Sequence, residues 1–139
     1  MLWSLMEHTY EKIYKVSTTI DKLTGNVVEE FWRDSDGQLG RFGGPAHTVY
    51  DRVTGVKLRE THYAADTISL NSDTQPAVRE WDINGNLRLE AYYFDDVKHR
   101  NGGKPAVIYY DPAGEVVKRE YYHFGRPYTP QKRSPKHEL

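Results

Sequence analysis

The stretch Ala106-Val107-Ile108-Tyr109-Tyr110-Asp111-Pro112-Ala113-Gly114-Glu115-Val116-Val117-Lys118-Arg119-Glu120-Tyr121-Tyr122 decides the fold. Two runs rich in β-branched and aromatic residues, too short for helices, flank Asp111-Pro112-Ala113-Gly114. Proline presets φ at the first turn position, and glycine takes the left-handed position that closes the loop. The segment therefore reads as a β-hairpin whose short loop is a type I turn followed by a glycine bulge.

Working outward, the same loop recurs. Gly25, Gly55, Gly85 and Gly114 are spaced 30, 30 and 29 residues apart, and Asp21, Asp51, Asp82 and Asp111 precede them by three or four positions. Asp82-Ile83-Asn84-Gly85 fits the geometry of the Asp111 loop, whereas Asp21 to Gly25 and Asp51 to Gly55 are one residue longer. Ile20, Tyr50, Trp81 and Tyr110 stand just before the aspartates, and Tyr63, Tyr93 and Tyr122 follow the last three glycines. Pro45-Ala46, Pro76-Ala77 and Pro105-Ala106 open the incoming strands. The first copy lacks the Pro-Ala pair and has Arg33 at the tyrosine position, as terminal repeats commonly deviate. The expected architecture is all-β, an elongated antiparallel β-meander of about four tandem β-hairpin repeats. It forms one domain over residues 1–127, with residues 128–139 a frayed, flexible tail. Segments rich in Gly, Asn, Asp and Ser (34–40, 71–74 and 99–103) read as turns between units, and His8 to Val16 alternates as a further strand.

Composition bounds the function. Hydrophobic residues make up 37% and charged residues 28%, a thin supply of core-forming side chains for a compact globule. Aromatics reach 13%, with 11 tyrosines, which suit half-buried sheet surfaces and contact faces. A net charge of -1 carries no electrostatic footprint for nucleic acid, so no nucleic-acid partner is expected. The absence of cysteine excludes disulfides and thiolate metal sites. The first residues lack the basic region of a secretory signal, and no apolar run is long enough for a membrane span, so a cytoplasmic location is expected.

Lys98-His99-Arg100-Asn101-Gly102-Gly103-Lys104-Pro105-Ala106, with Arg41-Phe42-Gly43-Gly44-Pro45-Ala46 upstream, resembles the His-Arg-x-Asp-Gly-Pro-Ala repeats grouped with MORN-repeat variants. The similarity covers roughly residues 16–127. Lys104 interrupts the Gly-Pro pair in one copy, and Gln75 precedes the proline of another. The resemblance implies an elongated β-meander with a scaffold or binding role and no shared catalytic residues.

Strand alternation sorts the repeat columns onto two faces. One is expected to collect Ile20, Tyr50, Trp81 and Tyr110 with Val27, Leu87, Val116, Tyr63, Tyr93 and Tyr122, as the packed face. The other collects Glu30, Glu60 and Glu90 with Trp32, His62, Tyr92 and Tyr121. Cross-strand pairing on a solvated surface accounts for such a mixture, and so does a contact surface anchored by aromatic rings. Trp32, Glu60, His62, Glu90, Tyr92 and Tyr121 are the candidate binding residues.

Catalysis finds little footing. None of the six histidines has a metal-ligand spacing, and the recurring glutamates read as a ladder across repeats. No catalytic residue, metal or cofactor is expected. The favoured function is a module binding another protein, such as an inhibitor, immunity or antitoxin-type protein, with a homodimer through the sheet edge or face as a further form of association. A carbohydrate- or small-ligand-binding protein that stacks its ligand on Tyr and Trp rings is the alternative.

Overall fold

The computed structural model describes residues 11–70 and 73–131. Its strands are β1 (Lys15–Ile20), β2 (Val27–Arg33), β3 (His47–Tyr50), β4 (Lys57–Thr61), β5 (Tyr63–Ala64), β6 (Thr67–Ile68), β7 (Val78–Trp81), β8 (Leu87–Ala91), β9 (Tyr93–Phe94), β10 (Val97–Lys98), β11 (Val107–Tyr110), β12 (Val116–Glu120), β13 (Tyr122–His123) and β14 (Arg126–Pro127). Eight of them form one antiparallel sheet in the order β1-β2-β3-β4-β7-β8-β11-β12, which is not closed, so β1 and β12 are its edges. The four anticipated hairpins are thus present as β1/β2, β3/β4, β7/β8 and β11/β12. No helix occurs among the described residues. The strand expected from His8 begins at Lys15; Glu11 to Tyr14 lie outside any strand, and His8 to Tyr10 lie outside the described residues.

The repeated aspartate is the organiser of each long-hairpin loop. Asp82 Oδ1 accepts the N–H groups of Asn84 (2.9 Å) and Asn86 (3.0 Å), and Asp111 Oδ1 accepts those of Ala113 (3.0 Å) and Glu115 (2.9 Å). Asp21 and Asp51 bind the residues two and three positions on in the same manner. These backbone bonds lower the pKa of Asp21, Asp51 and Asp82, because they favour the ionised form. Gly114 closes its loop at φ 87° with its N–H on the Asp111 carbonyl. Each loop is followed by a one-residue bulge. Tyr110 pairs with Val116 while Tyr109 pairs with Lys118, leaving Val117 as the extra residue; Val28, Leu58 and Arg88 are its counterparts.

That bulge corrects the expected sorting of faces, since one inserted residue inverts the alternation. Ile20, Tyr50, Trp81 and Tyr110, with Val27, Leu87 and Val116, lie on the glutamate face, and Ile20 is 56% exposed. The packed face carries Val78, Ala91 and Val107, with Ile68, Leu89, Tyr93, Tyr109 and Tyr122 against them.

A second row of short hairpins, β5/β6, β9/β10 and β13/β14, follows the last three long ones. Their tips are two-residue turns with both residues at positive φ: Ala65 and Asp66, Asp95 and Asp96, Phe124 and Gly125. Each tip grips the preceding unit. Asp66 donates its N–H to the Leu39 carbonyl (2.9 Å), and its Oδ1 accepts the Leu39 N–H (2.6 Å). Asp96 repeats the pair on Ile68, and Gly125 keeps the backbone half on Lys98. The last tip is further held by buried His99, whose Nδ1 accepts the Phe124 N–H (2.9 Å) while its ring stacks on Phe124 (4.0 Å). An N–H can only donate, so His99 Nδ1 is unprotonated and Nε2 donates to Asn101 Oδ1 (2.9 Å). These contacts hold Phe124 at φ 45°, a region unfavourable for a bulky residue.

Where units meet, the alanine of each Pro-Ala pair is fully buried: Ala46, Ala77 and Ala106 are 0% exposed. Ala77 accepts the His62 N–H (2.8 Å) and donates to the Ala91 carbonyl (2.9 Å), so one residue links β8 to the residue that follows β4. Ala77→Val should overpack this slot and lower unfolding stability by about 1–3 kcal/mol. Urea denaturation checks this; an unchanged midpoint would show that the slot has room for two more methyl groups.

Candidate functional site

The residues singled out from sequence come together on one face of the sheet. Pairing across strands aligns Glu30, Thr48, Glu60, Arg79, Glu90, Ile108 and Arg119 in a single row. Trp32, His62, Tyr92 and Tyr121 form the next row, each two residues beyond Glu30, Glu60, Glu90 and Arg119.

The acids of this face are engaged in a charged line. Lys57 Nζ lies 3.3 Å from Glu60, and Arg79 approaches Glu60 at 4.0 Å and Glu90 at 3.0 Å. Tyr110 donates its hydroxyl to Glu90 Oε1 at 2.6 Å. Two cations thus balance two carboxylates whose side chains are only 12% and 15% exposed. Buried charges require such pairing, because an unpaired one would carry its full desolvation cost. Burial pushes the Tyr110 pKa up to about 12, with the hydrogen bond to Glu90 and its negative charge adding to the shift.

The aromatic row is covered from outside. Trp32 donates its indole N–H to Glu30 (2.8 Å), receives the Tyr14 ring edge-on and lies beneath the Arg41 guanidinium at 3.8 Å. Tyr92, 6% exposed, lies beneath Arg100 at the same 3.8 Å. Such stacks favour the cation electrostatically and are strengthened by desolvation. Tyr121 meets Tyr128 edge-on at 5.9 Å, and the Tyr128 N–H donates to the Tyr121 carbonyl. Tyr128, assigned from sequence to the tail, is therefore tied to the last unit; residues 132–139 of that expected tail lie outside the described residues.

At His62 Leu70 occupies the sequence position that Arg41 and Arg100 hold elsewhere. It borders a recess of about 250 Å³ with Arg41, Gly44, Leu70, Pro76 and Arg79. Burial lowers its pKa, Arg79 and Arg41 lower it further, and Glu60 and the Gly44 backbone oppose them. The recess therefore presents a neutral imidazole between two guanidinium groups near neutral pH. Arg41 makes no ion pair among the described residues.

Arg41, Arg79, Arg100 and Tyr110 were not among the candidate residues, although they complete the face. Two of them had a visible signal: an arginine follows the column aromatic by eight or nine positions at Trp32/Arg41 and Tyr92/Arg100. Among the described residues, no group of three or more His, Cys, Asp or Glu side chains gathers as a metal ion would need, and no helix is long and apolar enough to cross a membrane. No family model matches the chain, and searches of the curated proteins and of the solved structures likewise find no match.

The raised Tyr110 pKa sets a direction for alkaline stability. The unfolded chain ionises this phenol near the ordinary 10.0 while the folded chain holds its proton to about 12. Its contribution is therefore present below pH 10 and lost as pH climbs towards 12. Tyr110→Phe should flatten that part of the stability curve and remove the latest-ionising tyrosine from an ultraviolet absorbance titration. Loss of a phenol that ionises near 10.0 instead would show that burial and Glu90 do not hold the Tyr110 proton.

Proposed function

We propose that this chain is a β-hairpin repeat protein of the MORN-variant kind that works as a non-catalytic protein-binding module, through the face bearing Trp32, Glu60, His62, Glu90, Tyr92 and Tyr121. An inhibitor, immunity or antitoxin-type role fits a small module of this sort. The observation that carries the reading is the composition of the face. Arg41 over Trp32 and Arg100 over Tyr92 bring arginine and large aromatic rings together beside the recess at His62. Arginine, tryptophan and tyrosine are the side chains that most often dominate binding energy at protein interfaces.

The charged line supports the same use. Its carboxylates are already neutralised within the sheet, so covering them with a partner adds little desolvation cost. The stacking of a sugar on these rings is less well supported, because each of Trp32 and Tyr92 already has one face covered by a guanidinium.

The test is affinity capture from the native host lysate, with partners identified by mass and confirmed as purified proteins. Tyr92 is too buried for a clean probe, so the variants are Trp32→Ala, His62→Ala and Arg41→Glu, each checked for an unaltered melting curve. A stoichiometric protein partner whose affinity falls at least tenfold, about 1.4 kcal/mol, in a folded variant supports the reading. A partner bound equally well by all three would sink it.

A further inference from the structure

The sheet contains three internal junctions between successive units, β2/β3, β4/β7 and β8/β11, and all three use one contact. Trp32, His62 and Tyr92 donate their N–H groups to the carbonyls of Ala46 (2.7 Å), Ala77 (2.8 Å) and Ala106 (2.7 Å). Each alanine is sealed from solvent and follows a proline. Tyr121 is the fourth member of that donor column, and among the described residues no acceptor meets its N–H. Nor does any strand there pair with the outer edge of β12. Beside this edge a recess of about 340 Å³ is lined by Arg119, Tyr121, Pro127, Tyr128 and Thr129. At the second junction the corresponding position, next to His62 and Leu70, borders Pro76 of the incoming strand.

We propose that the outer edge of β12 binds an extended segment of another protein that begins Pro-Ala and carries acidic residues two and three positions after the alanine. The internal junctions supply the register. The second residue after the alanine faces the glutamate row, as Arg79 faces Glu60, and the third faces the next residue back, as Glu80 faces Arg59 at 3.7 Å. On β12 those two positions are Arg119 and Lys118. Both are basic; Lys118 holds its neighbour Glu120 at 3.4 Å and Arg119 has no ion pair among the described residues, so acids at both ligand positions supply the opposite charges that Arg59 and Glu80 present to each other at the second junction. The main-chain bonds of strand addition supply affinity, while the alanine slot and the two charges supply selection.

A second copy of this chain is a poorer occupant. Its own free edge is β1, where Lys15-Val16 replaces Pro-Ala and Thr18 and Thr19 stand in the acidic positions. Valine overfills a slot that elsewhere holds alanine at 0% exposure. The first unit is thus mismatched to the edge that β12 offers, which disfavours head-to-tail stacking of copies. This edge site lies at the β12 end, where Arg119 and Tyr121 close the two rows of the face proposed above, and it does not rest on that reading.

The experiment titrates the full chain with a synthetic peptide, Gly-Pro-Ala-Val-Glu-Glu-Tyr, by calorimetry and by amide chemical shifts. One-to-one binding is expected, with the largest shifts at Arg119 and Tyr121. Replacing the peptide alanine by valine, or Arg119→Glu in the protein, should each weaken binding about tenfold or more. A peptide with lysines in place of the glutamates should bind Arg119→Glu better than it binds the unaltered chain. Val16→Lys, on the opposite edge, should change nothing. No saturable binding up to about 1 mM, or affinity indifferent to both the alanine and Arg119, would overturn the proposal. So would a dimer that sedimentation shows to be abolished by Arg119→Glu, since a second copy would then own the edge. Failure here leaves the face reading intact, because that one is decided by Trp32, His62 and Arg41.

Discussion

A backbone relay at Ala46, Ala77 and Ala106 carries the sheet from one hairpin to the next, each alanine accepting from the preceding unit and donating to the next strand of its own. All three alanines have no exposed area. The preceding proline suits the entry, because it has no N–H to leave unpaired and holds the chain extended. Together with the ladders β2/β3, β4/β7 and β8/β11, the relay joins long hairpins that would each be a two-stranded ribbon of marginal stability in water. The spacing of 31 and 29 residues between these alanines is then the length needed to pass through two hairpins and return to the next one.

Register follows from the same junctions and is reinforced electrostatically. Arg79 sits between Glu60 and Glu90, with Lys57 and Tyr110 at the ends of the line. Partly exposed pairs add little to stability on their own. Their larger effect is on alternatives: a slip by one residue would carry Glu60 and Glu90 to the packed face beside Val78, Ala91 and Val107 and away from Lys57 and Arg79.

The long hairpins were legible because their loops carry strong local chemistry, an aspartate that binds backbone N–H groups and a glycine at the left-handed position. The bulges were not. Val28, Leu58, Arg88 and Val117 are ordinary strand residues, and nothing in their side chains announces that one extra position inverts the alternation. The short hairpins also escaped, since their tips are Ala65-Asp66, Asp95-Asp96 and Phe124-Gly125 and lack the Asn-Gly signal of such turns. They adopt positive φ because tertiary bonds to Leu39, Ile68 and Lys98 compensate. The candidate residues Trp32, Glu60, His62, Glu90, Tyr92 and Tyr121 could be grouped because they recur in register. The arginines that cover the rings were harder to see, as Leu70 breaks their column and their spacing from the aromatic shifts from nine positions at Trp32 to eight at Tyr92.

Stability and recognition are drawn to different parts of such an array. The buried cluster of Val78, Ala91 and Val107 lies towards the β12 end of the sheet, whereas every residue of β1 is exposed. In a quasi-linear protein each unit is stabilised by its neighbours, so an end unit has one interface where inner units have two. An end strand also presents its free backbone groups, which inner strands have already used. The two ends answer that exposure differently. At β1 the departure from Pro-Ala leaves an edge that fits none of the molecule's own junctions, while at β12 Tyr121 continues the aromatic column and Arg119 stands where the inner units carry glutamate. Chemistry that inside the sheet joins one repeat to the next becomes, at its last strand, a surface with a defined preference for what may be added.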